Sequence, residues 1–369
     1  MWEDLVFTES KGKLRAQNLN WFPDPRIEMA AFSETAGVGE VVRTHSGTDY
    51  FALADASVHG VLRLQGELTA FNWISPYSPS LLQDVQKSSS ESRYIDLTAS
   101  EILGCPSGIT TYLPFVDGYC WDHLYAGATT QLALVLFSAD RLFHLGISPD
   151  FVTTSVRTDL LGETSKLRAL RVLLEHLARL HELNEYTWRI IAVSSSTCFS
   201  PVDQENNMIR NTIAGISGIL GTADALALQP WNVLEKGYSD SDAAVLSHNL
   251  FHLLCDESQL DKIADPLAGS YSVENLTDAL IQKGWELFLE LRELTPKQVS
   301  DRLNSDILQA DRQNYAQGGR HVDGKKIRSI IGQTHFAESS DHGLAPPSGL
   351  FPMPKVLEFT PSIHVGDSK

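Results

Sequence analysis

The chain has 369 residues, which suffices for one large domain or two ordinary ones. Apolar residues make up 43% of it and charged residues 20%, a balance that predicts a packed globular protein rather than a disordered one. The formal net charge of -17 argues against nucleic acid and anionic membrane as partners, because both bind basic surfaces.

Few helices or strands are predicted from the sequence before Ala126. Residues 1–40 predict an irregular arm in which NWFPDPR forms a turn. TAFNWI is a short apolar run. Three further segments predict strands, the first through alternation and the others through β-branched and aromatic residues: VHGVLRLQ, RYIDL and GITTYLPFV.

From Ala126 onward, predicted helices alternate with predicted strands. Apolar residues that recur on one face predict four helices: AGATTQLALVLFSADRLFHLG, which ends near Gly146, LLGETSKLRALRVLLEHLARLHEL, NNMIRNTIAGISGIL and AAVLSHNLFHLLCDES. The strands between them are DFVTTSVR, TWRIIAV and ADALALQPW. In the third helix Ile209 and Ile213 share a face, and the small Gly215 and Gly218 beside them predict a close approach to a sheet.

Strands that alternate with helices of this length predict βαβ units and a parallel sheet. No G-x-G-x-x-G follows a predicted strand, which weakens the case for an open dinucleotide-binding sheet. We therefore predict an α/β protein with a (β/α)8 TIM-type barrel. A barrel that is degenerate in its N-terminal half is the alternative. The barrel domain is predicted over residues 41–294, a helical C-terminal extension over 295–337 and a mobile tail over 338–369.

Cysteine and histidine spacing gives no metal site. Cys105, Cys120, Cys198 and Cys255 form no C-x-x-C pair, so they predict reduced, buried thiols in a cytoplasmic protein. MWEDLVFTESKGK lacks the basic and apolar regions of a signal peptide, which agrees with that location. His248 and His252 lie four residues apart on a predicted helix, a spacing found in metal sites, but without a third ligand we expect them to be structural.

One segment, DPLAGSYSVENLTDALIQKGWELF, joins a glycine-bearing turn to a long amphipathic helix. It resembles the signature of the methylmalonyl-CoA mutase family, in which a D-P-x-G-G-S-Y turn precedes V-E-x-L-T. The matching residues are Asp265, Pro266, Gly269, Ser270, Tyr271, Val273, Glu274, Leu276 and Thr277, with Ala268 in place of the first glycine. We expect a structural role for the turn, a positive φ at Gly269, and a buried stripe at Leu276, Leu280, Leu287, Leu291 and Leu294.

Four more blocks resemble the family in the same order along the chain. AGATTQLALVLFSADRLFHLGI resembles a family helix that begins E-A-G-A-T, and KKIRSIIGQTHFA resembles the stretch that closes the family's barrel domain. The other two blocks match through Glu163, Lys166, Leu167, Arg168, Ala169 and Arg171, and through Asn207, Met208, Arg210, Thr212, Ala223 and Asp224. Together the blocks span residues 115–336.

The resemblance implies a fold and a chemistry. The fold is a (β/α)8 barrel that threads the pantetheine of CoA along its axis, and the family isomerises acyl-CoA substrates with adenosylcobalamin. Its members bind cobalamin through D-x-H-x-x-G in a separate C-terminal domain, and that motif does not occur in this sequence. The resemblance therefore predicts that this chain itself binds no cofactor.

The catalytic positions of the family also differ here. Where the family has a histidine in G-Y-H, this sequence reads GYCWDHLYAGAT, so the catalytic candidates are reduced to His123, Tyr119 and Cys120. The family's H-x-Q-T-S-G corresponds to IAVSSSTC, with Ile191 and Val193 in place of its His and Gln. Apolar side chains cannot hold a thioester carbonyl or position a substrate by hydrogen bonds.

Two polar segments are candidates for binding the substrate. Ser194, Ser195 and Ser196 offer hydroxyl and backbone N–H groups after a predicted strand, although such a run is more often a solvated loop. A basic cluster late in the chain is a candidate for the phosphates of CoA, with a solvated face as the alternative: Lys325, Lys326 and Arg328.

Heterodimeric members of the family pair an active large chain with a small chain that keeps the fold and has lost the site. This sequence resembles the small chain. The resemblance implies a large (alpha) methylmalonyl-CoA mutase subunit as partner, which would carry adenosylcobalamin and interconvert methylmalonyl-CoA and succinyl-CoA. The alternative is a divergent acyl-CoA mutase chain that works with a separate cobalamin-binding protein.

Overall fold

The computed structural model describes residues 21–29, 49–54, 57–64, 67–74, 93–103, 113–149, 151–183, 186–200, 203–236, 240–260 and 265–317. Within these ranges the strands are β1 (Trp21–Asp24), β2 (Ile27–Met29), β3 (Asp49–Ala54), β4 (Ser57–Leu64), β5 (Glu67–Ile74), β6 (Arg93–Ile95), β7 (Leu113–Pro114), β8 (Val116–Asp117), β9 (Val152–Val156), β10 (Ile190–Ser194) and β11 (Ala225–Ala227). Strands form in each of the six segments predicted as strands, whereas β1, β2, β3 and β5 form where no strand was predicted.

The helices also follow the predicted order. They are α1 (Leu97–Ile102), α2 (Ala128–His144), α3 (Leu160–Leu180), α4 (Glu205–Leu220), α5 (Val233–Lys236), α6 (Ser241–His252), α7 (Tyr271–Arg292), α8 (Pro296–Arg302) and α9 (Leu308–Gln317). Short 3-10 helices span Tyr119–Leu124 and Ser196–Cys198, and π-helical turns span Leu253–Glu257 and Leu303–Ile307. Gly146, just after α2, has a φ of 71°, as predicted for a glycine that ends a helix.

The larger sheet has the strand order β7-β6-β5-β4-β3-β11-β10-β9-β8. The pairs β8–β9, β9–β10 and β10–β11 are parallel, which confirms the predicted α/β class. The pairs β3–β4 and β4–β5 are antiparallel, so this earlier part of the sheet departs from a regular βα repeat. Only Phe115 separates β7 from β8, so the two ends of the strand order belong to one extended segment.

The strands β9 and β10 lie between β11 and β8 in the parallel region of the sheet. Both strands are buried along their whole length, as expected when helices cover a parallel sheet on its faces. In register, Ile190 of β10 lies opposite Val152 of β9. The helices α3 and α4 make the crossovers from β9 to β10 and from β10 to β11.

The helix α7 packs against α2 and α3. Leu276, Leu280, Leu287 and Leu291 are buried and Leu294 is half-buried against the core, which confirms the predicted stripe. A Cβ added at Gly284 would lie 3.3 Å from Leu132 Cβ on α2 and 3.3 Å from Leu173 Cδ1 on α3. The glycine therefore lets three helices approach one another closely.

The buried face of α4 differs from the one that its isoleucines indicate. Ile209 is 60% exposed and Ile213 is only half-buried, whereas the small residues are buried against the sheet. A Cβ added at Gly218 would lie 2.8 Å from Leu226 Cδ1 on β11, and one at Gly215 would lie 2.7 Å from Leu254 Cδ1. The predicted close approach is confirmed, but the small residues make it, whereas Ile209 faces outward and Ile213 is half-buried.

Residues from near both ends of the described chain bind the backbone at the start of α2. A two-stranded antiparallel hairpin, β1–β2, lies within the arm that the sequence predicts to be irregular. Asp24 Oδ2 accepts a hydrogen bond from Thr129 N, and Asp311 Oδ2 of α9 accepts one from Gly127 N, each over 2.9 Å. Arg26 donates to Asp311 Oδ1 over 2.9 Å, so one guanidinium holds both segments at the start of α2.

Some predictions fall on other parts of the chain. The predicted tail over 338–369 and the basic cluster of Lys325, Lys326 and Arg328 lie outside the described residues. Cys120, Cys198 and Cys255 are buried free thiols, as predicted. Among the described residues, no helix combines the length and the apolar character that crossing a membrane requires.

Candidate functional site

Polar side chains meet at the carboxyl ends of the parallel strands, where α/β proteins place their sites. Asp122 follows β8, Arg157 follows β9, and Ser195 and Thr197 follow β10. We call these four residues the strand-end cluster. Asp122 and Ser195 are fully buried, and Arg157 is 8% exposed.

A buried ion pair forms the centre of the strand-end cluster. Arg157 Nε donates to Asp122 Oδ1 over 2.6 Å, and its NH2 group donates to the carbonyl of Ala126 over 3.2 Å. Burial opposes the charge of Asp122, but the guanidinium of Arg157, the neighbouring His123 and the hydrogen bond from Ser195 together outweigh it and hold the pKa of this carboxyl below its usual value. The pKa of Arg157 is raised because the carboxylates of Asp122 and Glu163 outweigh the effect of burial. Both groups are therefore charged at neutral pH.

The predicted serine loop binds this ion pair. Ser195 Oγ donates to Asp122 Oδ2, and Thr197 Oγ1 donates to the same oxygen over 3.3 Å. Ser194 points elsewhere, since its Oγ accepts a hydrogen bond from Gln229 N of the loop after β11 over 2.7 Å. Ser196 is half-buried and begins the short 3-10 helix. Two of the three candidate serines are thus engaged within the protein, one at Asp122 and one at the neighbouring strand.

The three catalytic candidates lie beside the strand-end cluster on the 3-10 helix after β8. The ring of His123 packs edge-on against Tyr119, with centroids 5.2 Å apart, and Tyr119 OH accepts a hydrogen bond from Gln229 Nε2 over 2.8 Å. Burial lowers the pKa of His123, Asp122 opposes this shift, and Arg157 adds to it. Cys120 is fully buried, and its thiol donates to the carbonyl of Asp117 over 2.9 Å.

The helix α9 covers the strand-end cluster. The guanidinium of Arg157 lies 5.1 Å from the ring centroid of Tyr315, and Tyr315 OH donates to the carbonyl of Thr197 over 3.1 Å. A second anchor is Arg312, whose Nε donates to the carbonyl of Leu124 over 3.0 Å. A cation held over an aromatic ring in a buried setting is a favourable contact, so α9 docks on this edge of the sheet through its side chains.

A second buried charge, Lys166, lies on α3 and contacts β9 and α2. Lys166 Nζ lies 2.6 Å from Glu163 Oε2, donates to the carbonyl of Ser155 over 2.7 Å and donates to Gln131 Oε1 over 3.0 Å. Burial lowers the pKa of Lys166, and Glu163 opposes this shift. These contacts fix Lys166 as part of the interior hydrogen-bond network.

Sequence reasoning missed several of these residues. The sequence predicts no role for Asp122, Arg157, Thr197, Gln229 or Tyr315. The position of Arg157 at the end of the predicted strand DFVTTSVR is a signal that could have found it, because the residue after a parallel strand reaches the ligand edge of the sheet. Nothing in the local sequence indicates Tyr315, since its contact depends on how α9 packs.

Comparison with known proteins shows the family of the chain. The sequence model of the family described as Methylmalonyl-CoA mutase matches residues 150–347, more than half of the 369-residue chain. The chain belongs to the methylmalonyl-CoA mutase family. The matched region contains β9, β10, β11 and every helix from α3 to α9.

Individual relatives of the methylmalonyl-CoA mutase family match about half of this chain. It is 32% identical over 187 residues to the Methylmalonyl-CoA mutase small subunit of Streptomyces virginiae, covering 48% of this chain and 30% of that protein. It is 24% identical over 164 residues to the small subunit of Porphyromonas gingivalis (42% and 26% covered). It is 28% identical over 180 residues to the mitochondrial Methylmalonyl-CoA mutase of Bos taurus (48% and 22% covered). The matches therefore span less than a third of these relatives.

The residues that resemble the methylmalonyl-CoA mutase signature are bonded to one another. Arg168 of α3 donates to Glu274 Oε1 over 2.8 Å and also pairs with Asp265, at the two ends of the signature turn. Gly269 has a φ of 81°, as predicted, and its N–H donates to Glu274 Oε1 over 2.9 Å. Two further blocks that resemble the family are also joined, because Arg171 of one donates to Asp224 Oδ2 of the other over 2.8 Å. These contacts fix helices and turns at a distance from the strand-end cluster.

Proposed function

We propose that this chain is a non-catalytic member of its family that binds and stabilises a catalytic methylmalonyl-CoA mutase chain, as the name "small subunit" of several relatives suggests. The observation that carries the proposal is the Arg157–Asp122 ion pair with Tyr315 packed upon it. In this arrangement the groups at the strand ends satisfy one another instead of awaiting a substrate.

The replaced family residues support the same proposal. Cys120 stands where the family has a histidine, and it is a buried thiol with a backbone partner. Ile191 and Val193 stand where the family has His and Gln, and both are fully buried in β10. A buried aliphatic side chain offers no hydrogen bond to a thioester carbonyl, so these positions supply packing in place of chemistry.

The proposed architecture is the (β/α)8 barrel. The strand order begins at β7 and ends at β8, and a single residue, Phe115, separates the two. One extended segment therefore pairs with β6 on one side and β9 on the other, as ring closure requires. The antiparallel β3–β4 and β4–β5 pairs make this an irregular barrel in its earlier part.

Adenosylcobalamin does not fit the residues at the described strand ends. The edge that would face a planar cofactor carries Arg157 beneath the ring of Tyr315. His123 packs against Tyr119, and burial lowers its pKa. We propose that the cofactor belongs to the partner chain. The buried thiols agree with a cytoplasmic location for such a complex.

A second candidate function is that of a substrate-binding chain, active with a separate cobalamin-binding protein. The observation that favours it is the contact between Tyr119 and His123, which brings a phenol and an imidazole together beside the strand ends. For this function the ring of Tyr315 would have to leave Arg157 so that an acyl-CoA thioester could reach the pair.

Reconstitution tests the proposed non-catalytic function. The purified chain is mixed with a catalytic mutase large chain from the same cell, and complex formation is measured by size exclusion with light scattering. We expect a stable complex, a higher melting temperature for the large chain, and formation of succinyl-CoA only when the large chain is present. Turnover of methylmalonyl-CoA by this chain with adenosylcobalamin and no large chain would falsify the non-catalytic proposal.

A further inference from the structure

Three metal-ligating side chains meet at the opposite edge of the sheet from the strand-end cluster. Asp140 and His144 lie one turn apart at the end of α2, and His181 directly follows α3. The chain passes from α2 into the start of β9 and from α3 into the start of β10, so these residues lie near the strand N-terminal ends. An inference about them is independent of the proposed function.

The three side chains are close enough to share one ion. His181 Nε2 lies 2.8 Å from Asp140 Oδ1, and His144 Nδ1 lies 3.4 Å from Asp140 Oδ2. One ligand atom from each residue lies within 4.8 Å of the others. Ligand atoms around a tetrahedral ion with bonds of about 2.1 Å lie roughly 3.4 Å apart, so small rotations close the site. His144 Nδ1 lies 2.8 Å from the backbone oxygen of Asp140, and because the side chain is 57% exposed, it can rotate and exchange this contact for the ion.

The surroundings hold the ligands in place. Arg292 Nε of α7 donates to Asp140 Oδ2 over 3.1 Å, which leaves Oδ1 directed at His181. Ligating carboxylates are commonly fixed by such outer hydrogen bonds. The ring of Phe143 lies 5.2 Å from that of His181 and shields one side of the cluster. Both histidines also lie at helix C-terminal ends, where the backbone carbonyls favour a cation.

We propose that Asp140, His144 and His181 bind one divalent transition-metal ion, with Zn²⁺ as the species that fits best. Two imidazole nitrogens and one carboxylate oxygen form a ligand set that suits Zn²⁺, and water completes the tetrahedron. The bound ion joins the end of α2 to the end of α3. It stabilises the folded chain because the unfolded chain does not hold the three ligands together.

A second histidine pair on the surface could also bind metal, so the experiment needs a variant that lacks it. His248 and His252 of α6 have their Nε2 atoms 3.1 Å apart, and Asp256 lies 2.6 Å from His252 Nδ1. Such a pair can collect metal ions by itself. The experiment is therefore carried out in the full chain carrying His252→Ala, which removes this competing pair and leaves the Asp140 cluster intact.

The chain is stripped with a chelator and titrated with ZnCl₂ by calorimetry, and the melting temperature is measured with and without the ion. We expect one Zn²⁺ per chain in the His252→Ala protein and a higher melting temperature. Adding His144→Ala should weaken binding at least about tenfold and abolish the rise in melting temperature. Titration with Co²⁺ should give a visible absorption band that the second substitution removes.

Two outcomes would overturn the proposal. One is a His252→Ala protein that binds no Zn²⁺, and the other is equal binding with and without His144. Because the side chain of His144 is largely exposed, His144→Ala should fold, which circular dichroism checks. His181→Gln provides a second variant, and it should lose the same site while it keeps a polar side chain of similar length.

Discussion

Arg168 on α3 donates to the carboxylate of Glu274 on α7 over 2.8 Å, although 106 residues separate them along the chain. The same guanidinium pairs with Asp265, which opens the signature turn. One buried cation thus holds both ends of the signature turn. The signature of the family persists in this chain as an anchoring contact between two helices.

Replacing Arg168 by methionine should strongly destabilise the chain. Arg168→Met leaves Asp265 and Glu274 buried without their cation, and the loss of one partner from a buried pair costs about 3–5 kcal/mol. Urea unfolding followed by circular dichroism measures the change. The control on the same helix is Arg179→Met, because Arg179 is 61% exposed and lies 3.7 Å from Glu175.

The control should change the free energy of unfolding by no more than about 0.5 kcal/mol. A similar, small effect of both substitutions would mean that the buried contact at Arg168 does not anchor the turn.

Gly269→Ala should destabilise the chain by about 1–2 kcal/mol, since a φ of 81° is unfavourable for a residue with a Cβ. No atom lies within 4 Å of the added Cβ, so the cost is conformational and not steric. Gly269→Asn should cost less, because asparagine tolerates this conformation better than alanine. Thermal unfolding of the two variants distinguishes them, and equal stability of Gly269→Ala and the original chain would contradict the explanation.

Local patterns predicted most of the fold. The helices α2 and α3 are visible in the sequence because apolar residues recur on one face, whereas β9 and β10 are visible as short runs that are buried along their whole length. The outward face of α4 could not be predicted from periodicity, because Gly218 packs against the sheet through the absence of a side chain. The antiparallel β3–β5 region depends on pairing between distant segments, which local periodicity does not encode.

The candidate site was predictable only in part. The serine loop and the segment GYCWDHLYAGAT could be identified because they follow predicted strands and align with family motifs, although the catalytic residues of those motifs are replaced. The ion pair of Asp122 with Arg157 joins residues 35 apart, and the contact of Tyr315 with Thr197 joins residues 118 apart. Such contacts depend on how whole helices and strands pack together, so no local sequence motif predicts them.

The stability of the chain should fall as the pH rises through a window set by Asp96. Burial raises the pKa of Asp96 to about 6, although the N–H groups of Ala99 and Asp117 donate to it. The unfolded value is about 3.9, so between about pH 4 and pH 6 the folded chain keeps a proton that the unfolded chain has released. The free energy of unfolding should therefore decrease with pH by on the order of 3 kcal/mol from this group.

Asp96→Asn isolates this contribution. The amide carries no charge, so the slope due to residue 96 should vanish while the other groups titrate as before. The measurement is urea unfolding of both proteins at several pH values between 4 and 7. The difference in free energy between them should change with pH only inside the window, and a constant difference would exclude a raised pKa at Asp96.

The ion pair at the strand ends should show strong coupling in a double-mutant cycle. Arg157→Met leaves Asp122 buried and unpaired, which should cost about 3–5 kcal/mol, and Asp122→Asn leaves the guanidinium buried without its carboxylate. The double variant should lose about 1–3 kcal/mol less than the sum of the single losses. Urea unfolding of all four proteins provides the cycle.

Tyr315→Phe is the matched control, since it removes the hydrogen bond to Thr197 and keeps the ring over Arg157, at a cost of about 0.5–1.5 kcal/mol. Additive losses at Asp122 and Arg157 would show that the guanidinium does not neutralise the carboxylate, and the support for an engaged, non-catalytic strand end would be lost.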